Sequence, residues 1–224
     1  MAGMKNSERF RDLEKTLAKI RSEYHFGKLC REDLLPNPLD QFAQWFLEAA
    51  KRRDAKAHVM VLSTAGGGGA SSRCVLLKGL DERGFLFYTN TQSRKARDFR
   101  ENPQASACFY WAELERQVIV TGRVKQIPRK ETLAYFHSRP REAQIAAWCT
   151  EQNRVIENRE VLDRRFAEMK KKFVGREIPL NPHWAGFRLQ PEAIEFWQGR
   201  VNRLNDRFRY HSKAGKWVLE RLEP

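Results

Sequence analysis

Arg73-Cys-Val-Leu-Leu-Lys78, the turn Asp81-Glu-Arg-Gly84 and the run Phe85-Leu-Phe-Tyr-Thr-Asn-Thr-Gln-Ser-Arg-Lys95 decide how this chain folds. Together they read as a hairpin leading into a helix. Val75 and Leu77 alternate with Cys74 and Leu76, so the first run reads as a strand buried on both faces. Gly84 suits the positive φ of a tight turn. Phe85 to Tyr88 is aromatic-rich and reads as the return strand. Ser93 is placed to cap a helix beginning at Arg94. The cations are the informative part. Arg73 and Lys78 bracket an apolar strand, and Arg94 and Lys95 fall in a first helical turn, where the helix dipole favours negative charge. An anion bound there would compensate both. A solvated face with a strand-end arginine and lysine accounts for the same residues without a ligand.

Outward from this stretch, 224 residues suffice for a sizeable core. Hydrophobic residues make up 41% and aromatics 11%, which excludes a disordered chain. No apolar run is long enough to cross a membrane. Met1 to Tyr24 carries both signs of charge and lacks an apolar signal core, so it reads as neither signal nor transit peptide. The net charge of +14 points to anionic partners, whether nucleic acid, acidic membrane or small anions. The charge is spread, however, and its densest run, Asp163 to Phe173, has apolar residues at helical spacing and reads as a surface helix with a solvated basic face. Cys30, Cys74, Cys108 and Cys149 form no CxxC pair, which fits a reduced, cytoplasmic protein. The five histidines show no metal-ligand spacing.

Along the chain, residues from about 8 to 24 read as a charged helix. Asn37-Pro38 starts another, whose apolar face carries Leu39, Phe42, Trp45, Phe46 and Ala49. His58 to Thr64 reads as a strand. Gly66 to Gly69 lacks the lysine and the helix start of a phosphate loop and reads as a flexible hairpin loop. Asn102-Pro103 closes the short helix after Ser93. Ala105–Trp111 and Gln117–Gln126 read as an antiparallel pair. Pro128 to Thr150 reads as helical with a break at Pro140, and Arg159 to Phe173 as a further helix. Three strands finish the chain, at about 184–190, 193–198 and 207–222, the last turning at Ala214-Gly215. Seven or eight mainly antiparallel strands with tight turns favour a closed barrel over an open sheet. No linker separates two domains.

Glu195-Phe-Trp-Gln-Gly-Arg-Val-Asn-Arg-Leu-Asn-Asp-Arg207 sets an aromatic ring beside amides and three arginines, a set suited to a planar, anionic ligand. A strand followed by a polar loop is the plainer reading. With Arg73–Lys78, Phe87-Tyr-Thr-Asn90, Ser93-Arg-Lys95, Arg116-Gln-Val118 and Tyr135-Phe-His-Ser-Arg-Pro140, it resembles the pyridoxine (pyridoxamine) 5′-phosphate oxidase family, motif by motif and in order, from about Arg21 to Pro224. The resemblance implies an FMN-binding split β-barrel, mainly antiparallel β with helices. It implies one domain with residues 1–36 as an N-terminal arm or lid, and a homodimer with the flavin at the interface.

The same resemblance implies roles for residues. FMN contacts fall on Arg73, Cys74, Val75, Leu76, Leu77, Lys78, Tyr88, Thr89, Arg94, Lys95, Gln117, Gln152, Asn153, Trp197 and Arg207. Substrate-phosphate contacts fall on Lys78, Tyr135 and Arg139, with Ala143 where the family usually has serine. Arg203 and Asn205 fall on the substrate-ring positions. Arg21 and Tyr24 match a lid that excludes water. Two further departures are Asn153 where the family usually has serine and Asn205 where it usually has histidine. The implied reaction is oxidation of pyridoxine or pyridoxamine 5′-phosphate to pyridoxal 5′-phosphate, with dioxygen as acceptor. Two rivals stay open: a split-barrel flavin oxidase with another substrate, and a protein that holds FMN or pyridoxal phosphate without turnover. Nucleic-acid binding has only the net charge behind it.

Overall fold

A computed structural model describes residues 6–20, 23–52 and 56–224. The elements, in order, are α1 (Asn6–Lys19), α2 (Pro38–Lys51), β1 (Val59–Gly66), β2 (Gly69–Leu76), β3 (Gly79–Asp81), β4 (Gly84–Asn90), α3 (Arg94–Glu101), β5 (Gln104–Trp111), β6 (Arg116–Gln126), α4 (Arg129–Ser138), α5 (Arg141–Cys149), α6 (Glu160–Lys172), β7 (Trp184–Gln198), β8 (Asp206–Lys213) and β9 (Lys216–Leu222). Every strand pairing is antiparallel, in the order β2-β1-β5-β6-β7-β4-β3, with β8 and β9 branching from β7.

The opening stretch does not pair as the sequence suggests. Arg73–Leu76 belongs to β2 and pairs with β1 across the Gly67-Gly68 turn. The chain then changes partner. The Leu77 amide donates to His58 O at 2.8 Å, and the Lys78 amide donates to Leu86 O at 2.8 Å. Of this stretch, only the short β3 pairs with β4. β2 and β3 are therefore opposite ends of the sheet yet consecutive in the chain. Among the described residues no ladder closes the barrel; the backbone at Leu77-Lys78 spans the gap. This corrects the closed barrel expected above, and an open seam is what a split barrel requires. β2 is not buried on both faces either: Leu77 is buried, but Cys74 and Leu76 are exposed.

Local signals explain several elements. The Asn37 side chain accepts from the Leu39 amide at the start of α2, and Pro140 separates α4 from α5. β8 and β9 turn at Ala214-Gly215 as expected. Three elements differ. α1 ends at Lys19 rather than near Tyr24. Ser93 occupies the cap position of α3 but makes no side-chain cap. The strands expected at 184–190 and 193–198 are one strand of 15 residues; with β3, and with 207–222 divided into β8 and β9, the described strands number nine. Pro191 does not stop β7 because it sits at a bulge: the register shifts between Thr121 and Gly122, so that Gly122 faces Pro191, Thr121 faces Ala193 and Glu192 is left unpaired between them. Gly122 is required there: a Cβ would lie 2.0 Å from Gln190 O.

The core lies inside the barrel and under α2. Phe42 and Trp45 are almost wholly buried; Phe42 meets Phe85 and Phe109 edge-on at 4.8 Å, and Trp45 meets Phe196 at 5.1 Å. Each such ring contributes about 1.5–3 kcal/mol by burial. A second cluster, around Phe136, Ile145 and Phe173, joins α4, α5 and α6. Residues before α2 are partly docked: Leu29 is buried, its amide donates to Asp206 Oδ2 at 3.0 Å, and Leu35 O accepts from Tyr210 Oη at 2.6 Å. No helix among the described residues is long and apolar enough to cross a membrane.

Candidate functional site

The seam between β2 and β4 opens into a cleft of about 320 Å³ lined by Cys74, Val75, Leu76, Lys78, Tyr88, Thr89, Lys95, Tyr135, Arg139, Gln152 and Trp184. A second cavity of about 400 Å³ adjoins it, sharing Lys95 and Gln152 and adding Ser71, Ser72, Arg73, Arg94 and Asn153. The two linings hold five cations and no carboxylate. Each cation is placed by local structure. β2 carries Arg73, the seam carries Lys78, and the first turn of α3 carries Arg94 and Lys95. Arg139 caps the C-terminus of α4, where the dipole favours positive charge, and Gln144 Nε2 donates to its carbonyl at 2.8 Å.

The cations crowd one another. Arg73 Nη1 donates to Thr64 Oγ1 at 2.7 Å and Leu62 O at 3.2 Å, and Nη2 lies 3.9 Å from the Asp98 carboxylate. Burial lowers the Arg73 pKa, Asp98 opposes that, and Arg94 lowers it further. Lys95 Nζ donates to Thr89 Oγ1 at 3.0 Å and Gln152 Oε1 at 3.1 Å. Burial, then the nearby Arg73, pushes its pKa down to about 8, against the pull of Asp98. Arg94 donates to Gly68 O at 2.7 Å, and its amide donates to Asn153 Oδ1 at 3.1 Å. The glycine hairpin thus lies against the N-terminus of α3. Three neighbouring cations, of which only Arg73 has a carboxylate, Asp98, within 4 Å, make a site that a phosphate would relieve.

At the other end of the cleft the rings of Tyr88, Tyr135 and Trp184 are parallel to within 14°. Gly186 pairs with Tyr88 across the sheet. A Cβ there would lie 2.7 Å from the Tyr88 ring, so glycine is what lets the ring lie flat. Burial raises the Tyr88 pKa to about 12 and that of Tyr135 upward, so both hydroxyls keep their protons and can donate. Arg139 Nη1 is buried without a hydrogen-bond partner.

The other predicted residues lie elsewhere. Leu77 points into the core. Gln117, Trp197 and Arg207 are direct cross-strand neighbours in one row over β6, β7 and β8, outside both cavity linings. Arg207 is tied to Glu195 Oε1 at 2.9 Å. Tyr24 packs edge-on against Trp197 at 5.2 Å. Arg203 is exposed, in a turn where Asn202 and Arg203 both have positive φ. Asn205 Oδ1 accepts the Arg200 amide at 3.0 Å, so this side chain holds the turn. Ala143 lines neither cavity. Arg21 lies outside the described residues. Within one chain, then, the cation cleft and the aromatic row are two separate groups.

Sequence reading missed three contributors. Asp98 and Thr64 hold Arg73, with Thr64 Oγ1 donating to Asp98 Oδ2 at 2.5 Å. Trp184, at the head of a strand, has no local signal that sets it apart from a core residue. Of these, only Asp98 left a trace: an acidic residue one helical turn after Arg94.

A family profile described as pyridoxamine 5′-phosphate oxidase matches residues 46–173. A second, described as the pyridoxine 5′-phosphate oxidase C-terminal dimerisation region, matches residues 184–224, the part that holds Trp197, Arg203, Asn205 and Arg207. The chain is 47% identical over 209 residues to the pyridoxine/pyridoxamine 5′-phosphate oxidase of Rubrobacter xylanophilus, covering 93% of this chain and 96% of that one. It is 49% identical over 209 residues to that of Teredinibacter turnerae, covering 93% and 99%. Among solved structures, PhzG from Burkholderia lata, in complex with tetrahydrophenazine-1-carboxylic acid, superposes with a TM-score of 0.82 at 28% identity, covering 88% of this chain and 98% of that one. A pyridoxamine 5′-phosphate oxidase-related, FMN-binding protein from Nostoc punctiforme shares the fold, with a TM-score of 0.67 at 18% identity, covering 85% and 100%. With both profiles matched in order and relatives this similar along nearly their whole length, the chain belongs to the pyridoxine/pyridoxamine 5′-phosphate oxidase family.

Proposed function

We propose that this protein binds FMN and oxidises pyridoxine 5′-phosphate or pyridoxamine 5′-phosphate to pyridoxal 5′-phosphate, with dioxygen as acceptor. The observation that carries the reading is the pair of adjoining cavities with five cations and no carboxylate. Two phosphorylated ligands, cofactor and substrate, call for two anion sites side by side.

The residues fit FMN. Arg73, Arg94 and Lys95 would hold its phosphate, and these mutually repelling cations, with Lys95 buried among them, are better satisfied with a dianion than without one. Thr89, Gln152 and Asn153 supply polar contacts beside it. When bound, FMN supplies the redox chemistry, accepting the electrons from the substrate C4′ carbon and passing them to dioxygen. This chain's own work is orientation. Lys78, Tyr135 and Arg139 would anchor the substrate phosphate at one end of the cleft, restricting how the ring can lie. That anchor carries two cations and no carboxylate, so it prefers a dianion to a neutral hydroxyl.

In a homodimer, a second copy would bring its own Gln117, Trp197, Arg203 and Arg207 to this cleft, which explains why one chain keeps them apart from it. The segment before α2 would act as a lid through Tyr24, already seated on Trp197. The similarity to PhzG raises a second reading, an oxidase with a non-phosphorylated substrate; that reading leaves Lys78, Tyr135 and Arg139 without a role.

Oxygen uptake by FMN-reconstituted protein tests the proposal. Uptake with either phosphorylated vitamer, and little with unphosphorylated pyridoxine, is expected. Bound FMN without uptake would point to a holding protein, and equal turnover of pyridoxine would refute the phosphate anchor.

A further inference from the structure

Arg139 is an unusual cation. Its Nη1 is buried without a hydrogen-bond partner, and no carboxylate lines the cleft it faces. Its guanidinium carbon instead lies over the Trp184 ring, 4.7 Å from the centroid, with Phe136 at 5.8 Å. A planar guanidinium whose face rests on an aromatic ring can reach other partners only with its edge. Trp184 is itself held in place. It is parallel to Tyr88 within 9° at 5.0 Å and to Tyr135 within 6° at 6.1 Å, and Phe136 meets it edge-on at 5.4 Å. The same indole thus touches both Tyr135 and Arg139, which come from the middle and the end of α4.

We propose that Trp184 is a positioning residue for the substrate phosphate: its indole fixes the plane of the Arg139 guanidinium and the spacing between Arg139 and Tyr135, so that both meet one phosphate group. This rests on the phosphate-anchor reading above. It predicts that Trp184 acts through Arg139, since the ring offers a phosphate little on its own. A merely structural role would act independently of Arg139.

The test measures KM and kcat for pyridoxamine 5′-phosphate, and the inhibition constant of inorganic phosphate, in a double-mutant cycle of Trp184→Leu with Arg139→Ala. Trp184→Leu alone should raise KM and the phosphate inhibition constant about two- to thirtyfold, the range of a partly to fully desolvated cation–π contact, with a much smaller fall in kcat. In the Arg139→Ala background the same change should move KM by less than about twofold. Trp184→Phe, which keeps a ring and the packing of this corner, should fall between and serves if the leucine variant does not fold. An equal effect of Trp184→Leu in both backgrounds, or no effect on either constant, overturns the role of Trp184. If Arg139→Ala itself leaves KM unchanged, the phosphate anchor falls and takes this inference with it.

Discussion

Lys95 gives the sharpest test of the cofactor site. It is 9% exposed, donates to Thr89 and Gln152, and burial together with Arg73 brings its pKa from an ordinary 10.5 to about 8. In the cofactor-free protein, roughly nine chains in ten then carry a charged Lys95 at pH 7, and roughly one in ten at pH 9. A phosphate dianion beside the ammonium favours the charged form and raises that pKa again. Binding therefore takes up a proton above pH 8, and affinity must fall as pH rises. If the bound phosphate restores an ordinary lysine pKa, the Kd for FMN rises about tenfold from pH 7 to pH 9. Throughout that window the phosphate is already a dianion, its second ionisation lying near 6. Lys95→Met removes the titrating group. At pH 7 it should weaken FMN by about ten- to a hundredfold, the worth of about 1.5–3 kcal/mol for a hydrogen bond to a charged group, and its Kd should be flat from pH 7 to 9. Titration of apoprotein by quenching of flavin fluorescence reads both. A wild-type Kd that does not change across the window, or a Lys95→Met protein with the same slope, would show that Lys95 does not meet the phosphate.

Asp98→Asn should lower the melting temperature of the apoprotein by the equivalent of about 1–3 kcal/mol, since Arg73 loses its paired carboxylate; the loss should be smaller with FMN bound, because the phosphate compensates the same cation, and calorimetry with and without FMN decides it. Asn205→Ala removes the acceptor of the Arg200 amide and should cost about 0.5–1.5 kcal/mol in urea unfolding along with a fall in kcat, whereas Asn205→Asp, which keeps an acceptor, should retain both; a dead but fully stable Asn205→Ala would assign the side chain to chemistry instead. Gly122→Ala, with its Cβ 2.0 Å from Gln190 O, should cost at least about 1–3 kcal/mol by urea unfolding, since backbone must move to admit it.

What could be read from the sequence was what local chemistry fixes. Asn37-Pro38 starts α2, Pro140 splits α4 from α5, and Ala214-Gly215 turns β8 into β9, because caps, prolines and turns act within a few residues. The partner of β2 was not legible, since Leu77 and Lys78 take their acceptors from two separate segments, His58 just before β1 and Leu86 on β4. The break expected between residues 190 and 193 misled for a related reason: the bulge that accommodates Pro191 is made with Gly122, on another strand. In the site, the cations Arg94 and Lys95 were visible because positive charge at a helix start is locally unfavourable, and Arg73 because it interrupts an apolar strand. Thr64 and Trp184 were not, and Asp98 left only a trace, because their value lies in the side chain each one holds, and that contact is made by the fold and not by neighbours in sequence. Gln117, Trp197 and Arg207 align only through strand register, which no single segment encodes.

The seam has one more consequence. Among the described residues β2 pairs with β1 alone, so the far edge of Arg73 to Leu76 offers main-chain donors and acceptors with no strand beside them. Contacts made by backbone leave side chains free to vary, so such an edge can read Cys-Val-Leu. The same edge is a template for pairing with another molecule. Its exposed side chains are Cys74 and Leu76, with only Arg73 and Lys78 as charged gatekeepers. Protein stripped of flavin should therefore self-associate through β2 at high concentration, seen as rising light scattering that FMN suppresses. On this view the cofactor also keeps the protein dispersed.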